Sequence, residues 1–164
     1  MAVTEWGQGV LFPEANKVEL KRTKFLLMKY RSMTMLMDDY EKHTEDMQQV
    51  AIDGEVARRI DQEDLHADKT ANAVVLAEKQ KWAYEQYKFY TTTIDRAYGL
   101  ICDDEAQRAM RYRYILGYSA KETLLFFQST MSDSTIKRKI KESEVAVANM
   151  LKLWGFFEKD SLKF

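Results

Sequence analysis

Cysteine occurs once in this chain of 164 residues, at Cys102. No internal disulfide can form, and a reducing cytoplasm is the expected setting. Proline occurs once and glycine six times, so there is little turn chemistry to divide the chain into many short elements. No run of eighteen apolar residues exists, and no charged-then-apolar leader precedes a cleavage site. The expected protein is therefore soluble, unexported and free of membrane contact. Histidine is limited to His43 and His66. Glu63 and His66 stand one helical turn apart, but a di-iron bundle needs two such pairs and further glutamates, and only one pair is present. There is no phosphate-cradling glycine loop, no C-x-x-C pair and no Ser/His/Asp set in a credible context. The expectation is a protein with no catalytic residues, no metal and no cofactor.

What the chain does hold is alanine, glutamate, lysine, glutamine, leucine and methionine, the composition of an all-α protein. The expected architecture is a long helical hairpin followed by a C-terminal helix-turn-helix module. The expected boundary separates residues 1–102, a long-helix and oligomerisation region, from residues 103–164. Within the first region, residues 1–16 hold Gly7, Gly9 and Pro13 and read as a loosely ordered arm, with Phe12-Pro13-Glu14 setting a helix start. Residues 17–45 place Leu26, Tyr30, Met33, Met37 and Tyr40 at helical spacing. Residues 46–69 are acidic and weakly periodic around Gly54, and read as a short helix between loops.

Residues 70–101 carry a heptad: Ala73, Leu76, Ala83, Tyr87, Tyr90, Ile94, Ala97 and Ile101, with Gln80 as its polar position. These residues are expected to be buried against the first long helix. Tyr87, Tyr90 and Ile94 are also candidates for a subunit interface, because a helix this long needs more cover than one neighbour gives. Thr91-Thr-Thr93 is unusual inside a helix and marks a bend or a packing contact.

The most informative segment runs from Arg113 to Ala148. Asp104 and Gln107 can cap a helix that passes Met110, Tyr114 and Ile115 and stops at Gly117. Ser119-Ala-Lys-Glu122 is a capping box. It opens an apolar helix through Leu124, Leu125, Phe126 and Phe127. Ser129-Thr-Met-Ser-Asp-Ser134 is turn and cap chemistry, with Ser132 or Ser134 starting the next helix. On that helix Ile136, Ile140, Val147 and Met150 or Leu151 make a core stripe. Ser134, Arg138 and Lys141 project the other way, with Thr135 and Lys137 at the margins. A cationic helix with a free N-terminus suits phosphate. The candidate DNA contacts are Ser132, Ser134, Thr135, Lys137, Arg138, Lys139 and Lys141. Beyond them, Gly155 is expected to end the helix, and Trp154, Phe156 and Phe157 either fold back on the module or form an interface.

Charge follows the same division. From Glu105 onward there are eleven Lys/Arg and seven Asp/Glu, whereas residues 1–104 hold fourteen and nineteen. An acidic body with a basic end confines nucleic-acid contact to the C-terminal part.

Arg113-Tyr-Ile-Leu-Gly-Tyr-Ser-Ala-Lys-Glu122, with Ser132-Asp-Ser-Thr-Ile136, resembles the helix-turn-helix of sigma factor region four. With Phe12-Pro13-Glu14 and Lys29-Tyr30-Arg31 included, the chain resembles phage late transcriptional regulators of the ArpU and RinA type. That resemblance implies a sequence-specific activator of phage late genes, binding double-stranded DNA in the bacterial cytoplasm with host RNA polymerase as partner. A homo-oligomer, with a dimer favoured, fits the long helices. Two other classes share these features. One is a small-terminase-like packaging protein, and the other is a helical adaptor that never touches DNA.

Overall fold

The computed structural model describes residues 11–60 and 64–158, with the side chains of 47, 48, 50–52, 54–60 and 64–70 outside the description. The arm glycines Gly7 and Gly9, and the Glu63–His66 pair, therefore lie outside what is described. All regular structure among the described residues is helical. The elements are α1 (Lys17–Ile60), α2 (Asp64–Gly99), α3 (Asp104–Met110), a π-helical turn (Arg111–Ile115), α4 (Ala120–Phe127) and α5 (Asp133–Leu153). None of these helices is long and apolar enough to cross a membrane. The acidic stretch after Thr44 is not a short helix between loops, because α1 continues through it to Ile60. Weak periodicity removes the sign of a buried face, not the capacity of Glu, Gln and Ala to extend a helix already nucleated.

The chain forms two compact units. One is made by the described parts of Met1–Arg31 and Thr92–Phe164, the other by Ser32–Thr91. The division thus does not fall at residue 102. Leu26, Leu27 and Tyr30 of α1, and Ile94 and Ala97 of α2, belong to the unit that also buries Met110, Tyr114, Phe127, Ile136, Val147 and Leu151. A three-helix module of about fifty residues has too thin a core alone, and the ends of the long helices complete it. Polar ties mark the same union. Tyr30 donates to Asp95 at 2.6 Å, Gln107 donates to the Tyr98 carbonyl at 3.0 Å, and Lys24 lies 3.9 Å from Glu144.

The start of α1 is fixed more firmly than an arm would be. Asn16 caps it, accepting from the Glu19 N–H at 2.9 Å and donating back to the Glu19 carboxylate at 2.8 Å. Ala15 N–H donates to Asn149 at 2.8 Å, and Lys152 donates to the Glu14 carbonyl at 3.0 Å. The segment before α1 is therefore held against the end of α5.

In the second unit, α1 and α2 pair antiparallel. Tyr40 stacks on Tyr84 with ring centroids 4.6 Å apart, and Tyr84 donates to Glu41 at 2.7 Å. Thr91 is the expected packing contact. It is buried, and its hydroxyl turns back to the Tyr87 carbonyl at 2.8 Å. The heptad is only partly covered. Ile94 and Ala97 are buried and Ala83, Tyr87 and Tyr90 are half-buried, but Leu76 is 57% exposed. One neighbouring helix covers one stripe, and a seam of this width exceeds it.

Candidate nucleic-acid interface

The C-terminal helices are set by local chemistry. Asp103, one residue before the expected cap, begins α3 by accepting from the Ala106 N–H at 3.0 Å. The end of this helix departs from expectation by widening into a π-turn, closed by Leu116 N–H donating to the Arg111 carbonyl at 2.8 Å. Tyr112 and Tyr114, two residues apart on this turn, reach different partners. Tyr112 stacks on Phe126 at 3.8 Å, while the Tyr114 hydroxyl donates to the buried Glu144 carboxylate. Burial raises the Tyr114 pKa above its ordinary value, and the Glu144 hydrogen bond adds to the rise. Gly117 then reverses the chain at φ +79°.

Ser119 opens α4 with the expected capping box. Its hydroxyl accepts from the Glu122 N–H at 3.2 Å, and the Glu122 carboxylate accepts from the Ser119 N–H at 2.7 Å. That backbone hydrogen bond holds the Glu122 pKa below its ordinary value. The apolar run of α4 does not all turn inward. Phe127 and Thr123 are buried, whereas Leu125 is 60% and Phe126 49% exposed. A short helix against one core buries one stripe of its surface.

Ser132 caps α5, accepting from the Thr135 N–H at 3.3 Å. Its hydroxyl is also within 2.8 Å of the Thr135 hydroxyl and 3.2 Å of the Ser134 hydroxyl. The core stripe contains Ile136, Val147 and Leu151 as expected, with Ile140 and Met150 half-buried at its edge. Ser143 and Glu144 also lie inside, which periodicity of apolar residues had no means to show. Glu144 is tolerable there because Tyr114 donates to it and Lys24 is near.

The seven candidate DNA contacts divide into groups. Lys137, Arg138 and Lys141 are exposed on the outer side of α5, with Ser134 at its start. Arg138 lies 3.7 Å from Glu142, and its side chain remains 66% exposed. Ser132 and Thr135 spend their hydroxyls on each other and on the cap. Lys139 is different from all of these. Its ammonium donates to Asp103 at 2.6 Å, sits near Glu142 and Glu105 at 3.4 and 3.7 Å, and is only 12% exposed. The hydrogen bond between them pushes the Lys139 pKa up and the Asp103 pKa down. Lys139 thus ties α5 to the cap of α3 and leaves the outward set. Its position beside Lys137 and Arg138 made it look equivalent, and its partner stands 36 residues away in sequence.

Of the interface candidates, Ile94 and Phe156 are interior residues, and Tyr87 and Tyr90 are half-buried. Gly155 ends α5 at φ +71°. Phe156 N–H donates to the Leu151 carbonyl at 2.9 Å and Gly155 N–H to the Lys152 carbonyl at 3.0 Å, the paired bonds of a Schellman stop. The aromatics after it fold back. Phe156 is buried with Phe157 edge-on to it, and the Arg96 guanidinium lies 4.3 Å over the Trp154 ring.

Compared with protein-family models, curated proteins and solved structures, the chain matches none.

Proposed function

We propose that this protein is a sequence-specific DNA-binding transcriptional regulator that lays the outer side of α5 against duplex DNA. The exposed strip of Lys137, Arg138 and Lys141, on a helix whose capped N-terminus is itself exposed, carries this conclusion. Three cations on one side of a rigid helix give phosphate contact and base reading from a single element. Arg138 is the base-reading residue, since a guanidinium can pair with two acceptors of guanine in the major groove. Lys137 and Lys141 contact phosphates. Activation of phage late genes with host RNA polymerase, in the bacterial cytoplasm, rests on the resemblance of Phe12-Pro13-Glu14, Lys29-Tyr30-Arg31 and Arg113–Glu122 to ArpU- and RinA-type regulators. A dimer suits such a regulator because two modules then read two half-sites.

Selecting bound duplexes from a random pool tests this function. A single enriched sequence is the expected result, and enrichment that persists in Arg138→Ala at the same base pairs would overturn the assignment. A helical adaptor is the second reading. Leu116, Tyr118, Leu125 and Phe126, 41–60% exposed, favour it. A chain that enriches no duplex yet captures a protein through Leu125 and Phe126 would establish it.

A further inference from the structure

Glu142 is the one acidic residue exposed on α5 beyond its first turn, and it stands among the cations of the outer strip. Its two carboxylate oxygens face different partners. Oε1 lies 3.7 Å from Arg138 Nε, and Oε2 lies 3.4 Å from Lys139 Nζ. Helix stabilisation does not account for the first pair. An exposed i,i+4 ion pair contributes little, and an acid placed after its base is the weaker order. A carboxylate at this place also repels phosphate, which lowers the attraction of Lys137, Arg138 and Lys141 for any duplex. The second pair is of another kind. Lys139 is 12% exposed and donates to Asp103 at 2.6 Å. Asp103 in turn accepts from the Ala106 N–H at 3.0 Å. A continuous line of charge therefore runs from the backbone of α3 through Asp103, Lys139 and Glu142 to Arg138.

We propose that Glu142 is a positioning residue, which holds the Arg138 guanidinium in its base-reading direction. This role rests on the reading of α5 as the duplex-contacting helix. Arginine reads guanine through two acceptors in one plane, so its fork must be aimed as well as charged. An unheld arginine loses rotamer freedom when it is aimed. Glu142 meets Arg138 at Nε, and both terminal NH2 groups stay open to two acceptors on a base edge. Arg138 is thus held without being consumed, and its side chain remains 66% exposed. The other oxygen of the carboxylate is tied through Lys139 to α3, so Glu142 does not swing with the arginine. The repulsion then serves selectivity. It weakens contact with every duplex, and the bases that Arg138 matches offset it.

The test measures binding of the full chain to the duplex selected by the parent, to that duplex with each base pair changed singly, and to an unrelated duplex. Two variants separate charge from position. Glu142→Gln removes the charge. It is expected to bind the unrelated duplex about threefold more tightly at low salt, where repulsion is least screened. It is also expected to lose roughly fivefold in discrimination, a part of what one bidentate contact supplies, at the base pair that Arg138→Ala relaxes. Glu142→Asp keeps the charge and draws the carboxylate back. It is expected to bind the unrelated duplex as the parent does, with the same loss of discrimination. In an Arg138→Ala background neither substitution is expected to change discrimination further, because the effect passes through Arg138. The Tm is expected to stay unchanged in every variant, both side chains being exposed. Full discrimination in both Glu142 variants overturns this role and leaves the proposed function standing. So does a loss at a base pair other than the one Arg138 reads, since Glu142 would then read a base itself. A parent that prefers no duplex overturns the function and this role together.

Discussion

Gly117 shows how one residue couples two distant segments. Its φ of +79° belongs to the region that side chains with a Cβ avoid, and an added Cβ would meet Arg31 Cγ at 3.1 Å. Arg31 is the last residue of Lys29-Tyr30-Arg31, and Tyr30 beside it is buried and bonded to Asp95. The motif that resembled a regulator signature thus has a structural task in this chain. Gly117→Ala is expected to destabilise the fold by about 1–2 kcal/mol from backbone strain alone, read as a drop in Tm of a few degrees. An unchanged Tm would mean that the turn relaxes. Asp103 gives a pH-dependent test. Its carboxyl is held below the ordinary value of 3.8, chiefly by the hydrogen bond from Lys139. A lowered folded pKa contributes stability that is present above the unfolded value and lost as pH falls through the folded one. Asp103→Asn keeps a good capping residue but removes the charge. It is expected to melt below the parent at pH 7, with the gap closing as pH falls below about 4, near the carboxylate reference. A gap of constant size down to pH 2 would place the loss in the cap rather than in the ion pair.

At the scale of elements, α5 is the helix on which both fold and proposed contact depend. Ile136 is fully buried and lies beside Lys137 and Arg138 in sequence. Ile136→Ala is expected to cost about 2–5 kcal/mol, measured by denaturant unfolding, and to reduce DNA affinity only as far as folding is lost. The far end of the helix predicts a similar result. Phe156 is 8% exposed, so Phe156→Ala is expected to cost about 3 kcal/mol. Stability unchanged in this variant would show that the tail does not complete the core. The stops and caps of this region were legible in sequence because each is written locally: Gly117, Ser119 with Glu122, Ser132 and Gly155 need only their near neighbours. Three features were not legible for the opposite reason. The acid partner of Lys139 and the tyrosine partner of Glu144 come from distant segments, and the π-turn at Arg111–Ile115 has no composition of its own. The exposure of Leu76 was hidden as well, since a heptad states which face is apolar and not what covers it.

For the whole molecule, charge is divided as the proposed function requires. Ser32–Thr91 holds thirteen Asp/Glu against seven Lys/Arg, and the remainder holds thirteen against eighteen. The unit that contains α5 is thus the basic one, the sign that the proposed duplex contact needs. The most direct test of duplex contact through the outer side of α5 is the salt dependence of binding to a selected duplex, for the parent and for Lys137→Ala with Lys141→Ala. Each neutralised phosphate releases condensed counterions, so log K falls against log salt by about 0.9 per contact. The double variant is predicted to bind every duplex more weakly and to flatten that slope by about one to two. Both substitutions lie on exposed side chains, so the Tm is expected to stay unchanged. Equal affinity and equal slope in parent and variant would contradict the account.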